Sequence, residues 1–482
     1  MLLLTLGLPV LGACILFTFR KMSAAWRNGI FLTFTCLTSL AVLALIMGPK
    51  VSYEFTSPIE LSFKLDGLGS LFAGLIAILW PLAAVYSIGY MSHEGNQRPF
   101  FGYYLLSYGV TLGVSFSGDP LTMFVFYELL GLSTLFLVMH KLSPSRVHAG
   151  RKYMYYSIGG GSLALMAVLF LKHFANGSIH FNYGGIAFSS AVPLNVLLIM
   201  FVFAFLGFGV KAAVFPLHGW LPAAGVAPTP VTALLHAVAV VKAGVFAVIR
   251  MSYYAFPPDL VRGTLAQQIC LGLAIVSILY GSSMAVKEKH LKRRLAYSTM
   301  SNLSYVLFGA LLLTPQGLTG GLAHMVFHAF MKITLFACVG AIMVQTNRQY
   351  VEELWGMAKV MPITIGIFGF CAITLVGIPP FIGFQSKWAL ALAGIGSGSV
   401  LSYIGVGALI YSAILTAIYI LVPVVTAYVM PLSQTPALDS HAHDPGNCMK
   451  IPLIILAIMV LVLSFCSQSL MQLLSNIAMG AF

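Results

Sequence analysis

Five ionisable residues lie inside long apolar stretches of this sequence, where charged side chains are rare. They are Glu128, Lys211, Lys242, Lys332 and Lys387. A charged side chain at the centre of a lipid bilayer costs at least about 2.5 kcal/mol on insertion scales, so such residues usually mark ion pathways or proton relays. A structural ion pair, or a side chain that reaches the membrane surface, is the alternative for any one of them. The five together favour a line of charges that carries protons.

Two histidines share a predicted helix face with one of these lysines. His324, His328 and Lys332 follow an i, i+4, i+8 spacing, which places successive side chains about 6 Å apart along one side of a helix. His236 and Lys242 share another apolar stretch. Histidine titrates near neutral pH, so a file of such groups linked by water can pass protons. The alternative for a single histidine is a hydrogen bond to the backbone of a neighbouring helix.

Two of the lysines lie next to prolines that interrupt helices. Lys211 precedes Pro216, and Lys387 follows Pro379 and Pro380. Proline removes a helix hydrogen bond, and the backbone groups that are set free can hold water or ions at membrane depth. Broken helices in the two halves of a chain are typical of transporters with internal repeats. A kink with a purely structural role is the alternative at either position.

The composition indicates that membrane-spanning helices position these residues. Of the 482 residues, 59% are hydrophobic and 8% are charged, whereas a soluble domain carries about 25% charged residues. We predict an all-α integral membrane protein with about fourteen transmembrane helices, since each crossing needs roughly 20 apolar residues. The predicted stretches are Leu2 to Phe19, Ile30 to Met47, Leu68 to Tyr90, Phe100 to Ser117, Pro120 to Met139, Tyr153 to Leu171, Leu194 to Val214, Pro230 to Ile249, Ala266 to Val286, Leu295 to Leu313, Leu318 to Val344, Pro362 to Leu390, Val400 to Val429 and Ile451 to Leu474.

Basic residues are distributed unequally between the two sides of this predicted bundle. One side receives sixteen: Arg20, Lys21, Arg27, Arg98, Lys141, Arg146, Arg151, Lys152, Lys287, Lys289, Lys292, Arg293, Arg294, Arg348, Lys359 and Lys450. The other side receives five: Lys50, Lys64, Lys172, Arg250 and Arg262. Because basic residues gather in cytoplasmic loops, we predict a multi-pass protein of the inner (cytoplasmic) cell membrane with both termini outside the cytoplasm. This asymmetry also accounts for the net charge of +13. We therefore expect the protein to lie in a lipid bilayer and to bind no nucleic acid.

No pattern in the sequence predicts a cofactor or a metal site. The seven cysteines include no CxxC pair, and we find no dinucleotide fingerprint, cluster-ligand set or haem motif. The segment His441-Ala-His443-Asp444, with Cys448 nearby, superficially resembles a metal site, but nothing else converges on it. The three glycines at positions 159–161 fit no phosphate-binding pattern, and we interpret them as a place of close helix packing.

Motifs spread over most of the chain carry a resemblance to a known family. The sequence resembles the antiporter-like subunits of respiratory complex I, of Mrp-type Na⁺/H⁺ antiporters and of membrane-bound hydrogenases. The motifs are Leu65-Asp66-Gly67-Leu68, Tyr86-Ser-Ile-Gly-Tyr90-Met, Tyr127-Glu128-Leu, the segment from Lys211 to Pro222, the segment from His236 to Arg250, Lys292-Arg-Arg-Leu-Ala-Tyr297-Ser, the segment from His324 to Lys332, and the segment from Gly377 to Lys387.

The resemblance implies a role for each charged residue of the first half. It implies that Glu128, on the fifth helix, modulates Lys211 in the broken seventh helix. A carboxylate about 4 Å from a buried lysine stabilises the ammonium by roughly 4 kcal/mol at an effective dielectric constant of 20, so movement of this acid would switch the lysine between holding and releasing a proton. Lys242 takes the connecting position in the eighth helix, with His236 nearby.

In the second half, the resemblance assigns the middle of the channel and its exit. His324, His328 and Lys332 match the middle of the channel, and Lys387 matches the exit residue of the broken twelfth helix. One position departs from the pattern, because His290 stands where many relatives carry an aspartate. Any role carried over from that acid is therefore in doubt.

The resemblance also implies a domain organisation with two inverted five-helix repeats. We expect residues 1–99 to form helices one to three, and residues 100–250 to form the first repeat, helices four to eight. Residues 251–430 would form the second repeat, helices nine to thirteen. Residues 431–482 would form a loop and helix fourteen.

These observations predict a proton-translocating, antiporter-like subunit of a multi-subunit membrane complex. We expect H⁺ to be the transported ion, with Na⁺ as a candidate for exchange, and other membrane subunits to supply the driving energy. We expect no cofactor and no catalytic chemistry in this chain itself. An Mrp-type antiporter and a redox-driven complex of NADH dehydrogenase or hydrogenase type stay open as the parent assembly. The rival functions are a structural membrane anchor of a redox complex and a stand-alone secondary transporter.

Overall fold

The computed structural model describes residues 1–19, 21–49, 52–55, 60–190, 192–431 and 443–481. Three residues named above lie outside these ranges. They are the basic residues Arg20 and Lys50, and His441 of the segment that superficially resembles a metal site.

Helices account for most of the described chain. Eighteen α-helices have eight or more residues, and two have four. In chain order they are α1 Leu2–Thr18, α2 Ala24–Met47, α3 Gly67–Met91, α4 Gln97–Ser115, α5 Pro120–Val138, α6 Pro144–Phe174, α7 Leu194–Gly209, α8 Trp220–Ala223, α9 Thr229–Ala237, α10 Val240–Arg250, α11 Pro258–Val261, α12 Leu265–Lys287, α13 Leu291–Leu311, α14 Pro315–Thr346, α15 Pro362–Val376, α16 Ile382–Gly396, α17 Val400–Thr416, α18 Val422–Val429, α19 Asn447–Phe465 and α20 Ser467–Ala478.

The lengths of these helices fit a membrane protein. Within the described ranges, nine helical segments are long and apolar enough to cross a bilayer, and α1, α7 and α15 are shorter apolar helices. Each predicted apolar stretch overlaps at least one of the helices. The helical, membrane-spanning architecture is therefore confirmed, while the number of about fourteen crossings stays a prediction.

One short hairpin accompanies the helices. Strand β1, Ser52–Phe55, pairs antiparallel with β2, Leu61–Lys64, in a register that sets Ser52 opposite Lys64. The hairpin leads directly into α3, whose first turn is capped by Asp66 through a hydrogen bond from the Gly69 amide. Acidic side chains suit this position because the first amides of a helix lack intrahelical partners.

Three breaks occur in the helices that carry the predicted site. Residues 210–219 separate α7 from α8, residues 238–239 separate α9 from α10, and residues 377–381 separate α15 from α16. Pro216 lies in the first break, and Pro379 and Pro380 lie in the third, so the prolines interrupt the helices as predicted. In the third break Gly377 has φ 91°, a left-handed conformation that glycine adopts without the clash of a Cβ.

Two helical segments form the buried centre of the bundle. The apolar windows of Thr229–Ala255, which contains α9 and α10, and of α14 are surrounded entirely by other helices. A helix that is apolar on every side is stable only in such an environment. These segments carry His236, Lys242, His324 and the residues that follow on α14, so the fold places these members of the predicted charge line away from lipid.

Candidate functional site

Glu128 and Lys211 form an ion pair at the first broken helix. Glu128 lies on α5, and Lys211 lies in the turn that follows α7, where its Nζ is 3.7 Å from the Glu128 Oε1. The Lys211 ammonium also donates to the carbonyl oxygen of Tyr127 and lies 3.5 Å from the centre of the Tyr127 ring. Lys211 is fully buried, whereas 31% of the Glu128 side chain is exposed. The carboxylate therefore joins the buried ammonium to the surface of this chain.

Glycines on α6 allow this pair to fit. A Cβ added at Gly161 would lie 3.0 Å from the Glu128 Oε1, and one at Gly160 would lie 2.4 Å from the Val210 Cγ2. Gly159 faces open space, with no atom within 4 Å of such a Cβ. The predicted close packing is therefore present at two of the three glycines, and one of them contacts the site acid directly.

Lys242 and the two histidines of α14 meet at the centre of the bundle. The Lys242 Nζ is 2.6 Å from the His328 Nδ1. The rings of His328 and His324 stack with their centres 5.9 Å apart, as their shared helix face predicts. The His324 Nε2 lies 3.1 Å from the Asn302 Oδ1, and its Nδ1 lies 3.0 Å from the Ser386 Oγ. These side chains are all buried, so bulk water does not compete for their hydrogen bonds.

The third lysine of the centre, Lys332, turns toward α13. Its Nζ donates to the Ser298 Oγ at 2.7 Å and to the Leu295 carbonyl oxygen at 3.2 Å. The Ser298 hydroxyl continues to the Tyr419 hydroxyl at 2.5 Å, and Tyr419 donates to Thr416 at 3.2 Å. A run of hydroxyl groups therefore extends from Lys332 across three helical segments.

Lys387 lies on α16, beside the end of α15. Its Nζ donates to the carbonyl oxygens of Leu375 and Val376 at 2.8 and 2.9 Å. Both carbonyls belong to the last turn of α15, where they lack an intrahelical donor, because the helix ends at Gly377. Lys387 as a whole residue is partly buried, and the second broken helix supplies the hydrogen-bond partners of its ammonium.

His236 is separated from Lys242 by the break between α9 and α10. Both of its ring nitrogens are buried without a hydrogen-bond partner, and its ring packs 4.8 Å from that of Phe336. Within the described ranges no direct hydrogen bond joins Lys211 to Lys242 either, so the contacts form two separate groups. One group surrounds Lys211, and the other runs from Lys242 to Ser386.

A buried ion pair that the sequence does not predict joins α3 and α10. Arg250, which was counted among the loop residues, is fully buried, and its guanidinium bonds Asp66 at 2.5 and 2.7 Å. Burial alone would raise the pKa of Asp66, but the guanidinium outweighs burial and holds that pKa below its usual value. The two residues are 184 positions apart, and no spacing pattern predicts their contact.

Lys292 was likewise counted as a loop residue, and it is buried at the start of α13. Its Nζ donates to the Ala227 carbonyl oxygen at 2.8 Å. The adjacent His290, at the position that departs from the family pattern, caps α13 by accepting a hydrogen bond from the Lys292 amide on its Nδ1 at 3.2 Å. Burial is the main cause that lowers the pKa of His290.

Asp444, from the segment that superficially resembles a metal site, has its carboxylate occupied by protein donors. It accepts hydrogen bonds from the Ile363 amide at 3.1 Å and from the Thr364 amide and hydroxyl at 2.9 and 2.7 Å. This carboxylate therefore fixes the start of α15.

Comparison with known families shows which family the chain belongs to. The family described as "NADH:quinone oxidoreductase/Mrp antiporter, TM" matches residues 117–422. These residues include every member of the predicted site. The chain belongs to this family. A second family, described as "NADH-Ubiquinone oxidoreductase (complex I), chain 5 N-terminus", matches residues 55–101.

Relatives from both branches of the family resemble this member along most of its length. NADH-quinone oxidoreductase subunit N of Desulforudis audaxviator is 30% identical and covers 95% of this chain and 93% of its own. NADH-quinone oxidoreductase subunit L of Mycobacterium tuberculosis is 28% identical over 94% of this chain and 73% of its own. Na(+)/H(+) antiporter subunit A1 of Staphylococcus haemolyticus is 32% identical over 83% of this chain and 51% of its own.

Solved structures share the fold at lower identity. A chain of an archaeal membrane-bound sulfane sulfur reductase matches with a TM-score of 0.86 at 21% identity, covering 99% of this chain and 96% of that one. A chain of the Mrp complex from Dietzia sp. DQ12-45-1b matches with a TM-score of 0.82 at 22% identity over the same shares. The predicted resemblance is therefore confirmed, and this family member is a multi-pass membrane protein whose relatives are subunits of larger membrane complexes.

Proposed function

We propose that this family member is a proton-translocating subunit of a multi-subunit membrane complex. The observation that carries the proposal is the set of three fully buried lysines, Lys211, Lys242 and Lys332, each of which contacts an acid, a histidine or a hydroxyl. Burying an ammonium group in a membrane is unfavourable, so such groups are found mainly where they gain and lose protons or line an ion pathway. A structural anchor would not need them.

Glu128 and Lys211 form the control point of the pathway. With the carboxylate at 3.7 Å the ammonium form of Lys211 is stabilised, and withdrawal of the carboxylate favours release of the proton. Because Glu128 is partly exposed on the surface of this chain, a neighbouring subunit can move it without entering the bundle.

The central group passes the proton between helices. Lys242 and His328 share a hydrogen bond, and the His324 ring lies beside His328. No contact between the described residues bridges Lys211 and Lys242, so water entering through the break after α7 completes this step. Lys332 lies on the same face and extends the line along α14.

Lys387 exchanges the proton with the far side. The carbonyls of Leu375 and Val376 stabilise its ammonium, and its partial exposure provides contact with an aqueous exit. Proton transfer at this position requires that the side chain release its hydrogen, which a lysine can do and an arginine cannot.

The order of the helices and the positions of their breaks support the predicted membrane crossings and repeats. We infer about fourteen spans, with helices four to eight built from α4 to α10 and helices nine to thirteen from α12 to α18. Each half contains a broken helix, α7–α8 and α15–α16, with a site lysine beside the break. This correspondence is what an internal repeat produces.

Partner subunits supply the energy in this proposal. The names of the relatives include NADH-quinone oxidoreductase subunits and a Na(+)/H(+) antiporter subunit. Redox chemistry or exchange with Na⁺ would accordingly drive the movement of Glu128 from outside this chain, in the inner (cytoplasmic) membrane.

Proton pumping by the purified, reconstituted complex tests the proposal. Liposomes with a pH-sensitive dye inside should report proton movement for the wild type and none for Glu128→Ala or Lys211→Met. The matched control is Lys289→Met, which removes an exposed lysine paired with Glu352. Normal pumping by both site variants, with the complex fully assembled, would contradict the proposed function.

A further inference from the structure

His324 differs from the other groups of the line because both of its ring nitrogens have fixed partners. We propose that Asn302 and Ser386 hold His324 in a single form, with the hydrogen on Nε2, so that protons enter and leave this histidine only through Nδ1, on the side of α16. This inference rests on the proposed proton pathway. It assigns Asn302 and Ser386 as positioning residues and makes His324 a proton store that exchanges toward Lys387.

The orientation of the Asn302 amide follows from its second hydrogen bond. The Asn302 Nδ2 donates to the Ser298 carbonyl oxygen at 2.7 Å. A carbonyl oxygen can only accept, so the amide nitrogen must face Ser298 and the Oδ1 must face His324. This Oδ1 lies 3.1 Å from the His324 Nε2. An amide oxygen cannot donate, and therefore the hydrogen between them belongs to Nε2.

The state of the other ring nitrogen follows directly. In a neutral imidazole with its hydrogen on Nε2, Nδ1 is an acceptor. The Ser386 hydroxyl also lies 3.3 Å from the carbonyl oxygens of Ile382 and Gly383. We assign its one hydrogen to the nearer Nδ1, 3.0 Å away, because this nitrogen has no hydrogen of its own in the tautomer assigned above. Asn302 is 1% exposed, and His324 and Ser386 are fully buried, so no bulk water replaces either partner.

His328 provides the contrast within the same helix. Its Nδ1 contacts the Lys242 ammonium at 2.6 Å, while its Nε2 is buried without a partner. The hydrogen of His328 can thus move to either nitrogen as Lys242 gains or loses a proton. His324 has no such freedom, because release of the Nε2 hydrogen would leave the amide oxygen of Asn302 without a donor.

In the exchange step, Ser386 takes up one proton and gives up another. A proton that reaches the Ser386 Oγ is matched by transfer of the serine's own hydroxyl hydrogen to the His324 Nδ1. The serine stays neutral, and the histidine becomes an imidazolium with hydrogen on both nitrogens. The reverse step returns the proton to the same side. The Lys387 ammonium bonds the Leu375 and Val376 carbonyls and, within the described ranges, not the Ser386 hydroxyl, so water carries the proton between these two residues.

Neighbouring charges decide when His324 can take that proton. The titratable groups that face it are Lys387 on α16, Lys242 on α10, Tyr305 on α13 and His328 on its own helix. Two like charges close together disfavour each other, so His324 accepts a proton after Lys387 has released its own. Storage on His324 and on Lys387 then alternates.

Two substitutions in the reconstituted complex test this assignment. Asn302→Asp keeps the size of the side chain and places a carboxylate against the Nε2 hydrogen, which stabilises the imidazolium. We expect the pumping rate to fall about tenfold and its pH profile to move to higher pH by at least about one unit. Ser386→Ala removes the donor to Nδ1, and we expect a fall of about tenfold or more, partly restored by Ser386→Thr.

Ser304→Ala is the matched control. Ser304 is a buried serine of α13, and among the residues that the structure describes its hydroxyl bonds only the Met300 carbonyl of its own helix, at 2.9 Å. The assignment is overturned if Ser386→Ala pumps as Ser304→Ala does, or if Asn302→Asp leaves the pH profile unchanged. Lys387→Met, measured in parallel, distinguishes a failure of the His324 assignment from a failure of the proposed proton pathway. A block in that variant alone would leave the proton pathway standing and refute the role of His324, whereas normal pumping by Lys387→Met would refute both.

Discussion

The site lysines differ in how their ammonium groups are compensated. Lys211 has a carboxylate partner, Lys242 has a histidine nitrogen, and Lys332 and Lys387 have only hydroxyl or carbonyl oxygens. A neutral oxygen stabilises an ammonium less than a carboxylate does, so the positions without an acid release protons most readily. A proton therefore rests preferentially on Lys211 while Glu128 is close, and it passes toward Lys387 only after the carboxylate has been withdrawn.

A substitution at Lys387 can distinguish a role for its positive charge from a role for its proton release. Lys387→Arg keeps a cation that can donate to the Leu375 and Val376 carbonyls, but a guanidinium does not lose its proton at working pH. We expect proton pumping to fall about a hundredfold in reconstituted complexes, within the range for loss of a proton-transferring group. Lys289→Arg, at an exposed ion pair, serves as the control. A wild-type rate in Lys387→Arg would show that this residue acts as a fixed charge.

At the scale of helices, glycines determine how closely α6 approaches the first broken helix. Gly161 lies against the Glu128 carboxylate and Gly160 against Val210, so both positions lack room for a side chain. The Glu128 carboxylate therefore rests between a backbone surface and the Lys211 ammonium, a position that larger residues on α6 would not allow.

Gly161→Ala tests this packing against a neighbouring position of the same helix. The added Cβ would lie 3.0 Å from the Glu128 Oε1, so the carboxylate must shift, and we expect pumping to fall several-fold. Gly159→Ala adds the same methyl group where no atom lies within 4 Å and should pump normally. Equal rates in the two variants would mean that the position of Glu128 is not set by α6.

The junction of α3 with α10 depends on the Asp66–Arg250 pair. Asp66→Asn leaves the fully buried Arg250 without a counter-charge, and loss of one partner of a buried ion pair costs about 3 to 5 kcal/mol. We expect a clear drop in the melting temperature of the purified complex. Glu352→Gln breaks an exposed pair with Lys289 and should cost less than about 1 kcal/mol. Similar melting of the two variants would contradict a structural role for Asp66.

The loss of melting temperature caused by Asp66→Asn should depend on pH. The pKa of Asp66 is lowered in the folded protein, so its stabilising contribution is present above the unfolded value of about 3.9 and is lost as pH falls through the folded value. The difference in melting between the wild type and Asp66→Asn should therefore be large at neutral pH and narrow in acid. A difference that stays constant into acid would assign the effect to packing.

For the whole molecule, one end of the bundle gathers charged residues around a cavity of about 660 Å³. Its lining includes Glu94, Arg146, His290 and Lys292. Helix α6 begins beside this cavity and has 31 residues, so its far end is about 46 Å away, more than the thickness of a bilayer core. We therefore predict that Lys172, in the last turn of α6, lies on the opposite side of the membrane from the cavity.

Membrane orientation can be measured with two single cysteines placed at these ends. Lys289→Cys lies next to the cavity and Lys172→Cys at the far end of α6, and both parent side chains are well exposed. Because basic residues accumulate on the cytoplasmic side, an impermeant maleimide should label Lys289→Cys from the cytoplasm and Lys172→Cys from outside. The opposite labelling pattern would invert the proposed topology, and with it the position of both termini.

The sequence by itself determined the helical membrane architecture, the family and the residues that cannot be ordinary lipid-facing side chains. Apolar length and helical spacing are local properties, so they identified the apolar stretches, the proline breaks and the shared face of His324 and His328. The pairing of Lys211 with Glu128 was also anticipated, because the motifs around both residues resemble those of the family.

Only the tertiary structure decided which distant residues meet. Arg250 and Lys292 look like loop residues because each stands at the edge of an apolar stretch, yet the packing of other helices buries both. The partners of His324 come from two other helices, α13 and α16, and their hydrogen-bond directions fix which nitrogen carries the hydrogen. Such contacts depend on how helices far apart in sequence are arranged in space, and a one-dimensional pattern carries no record of that arrangement.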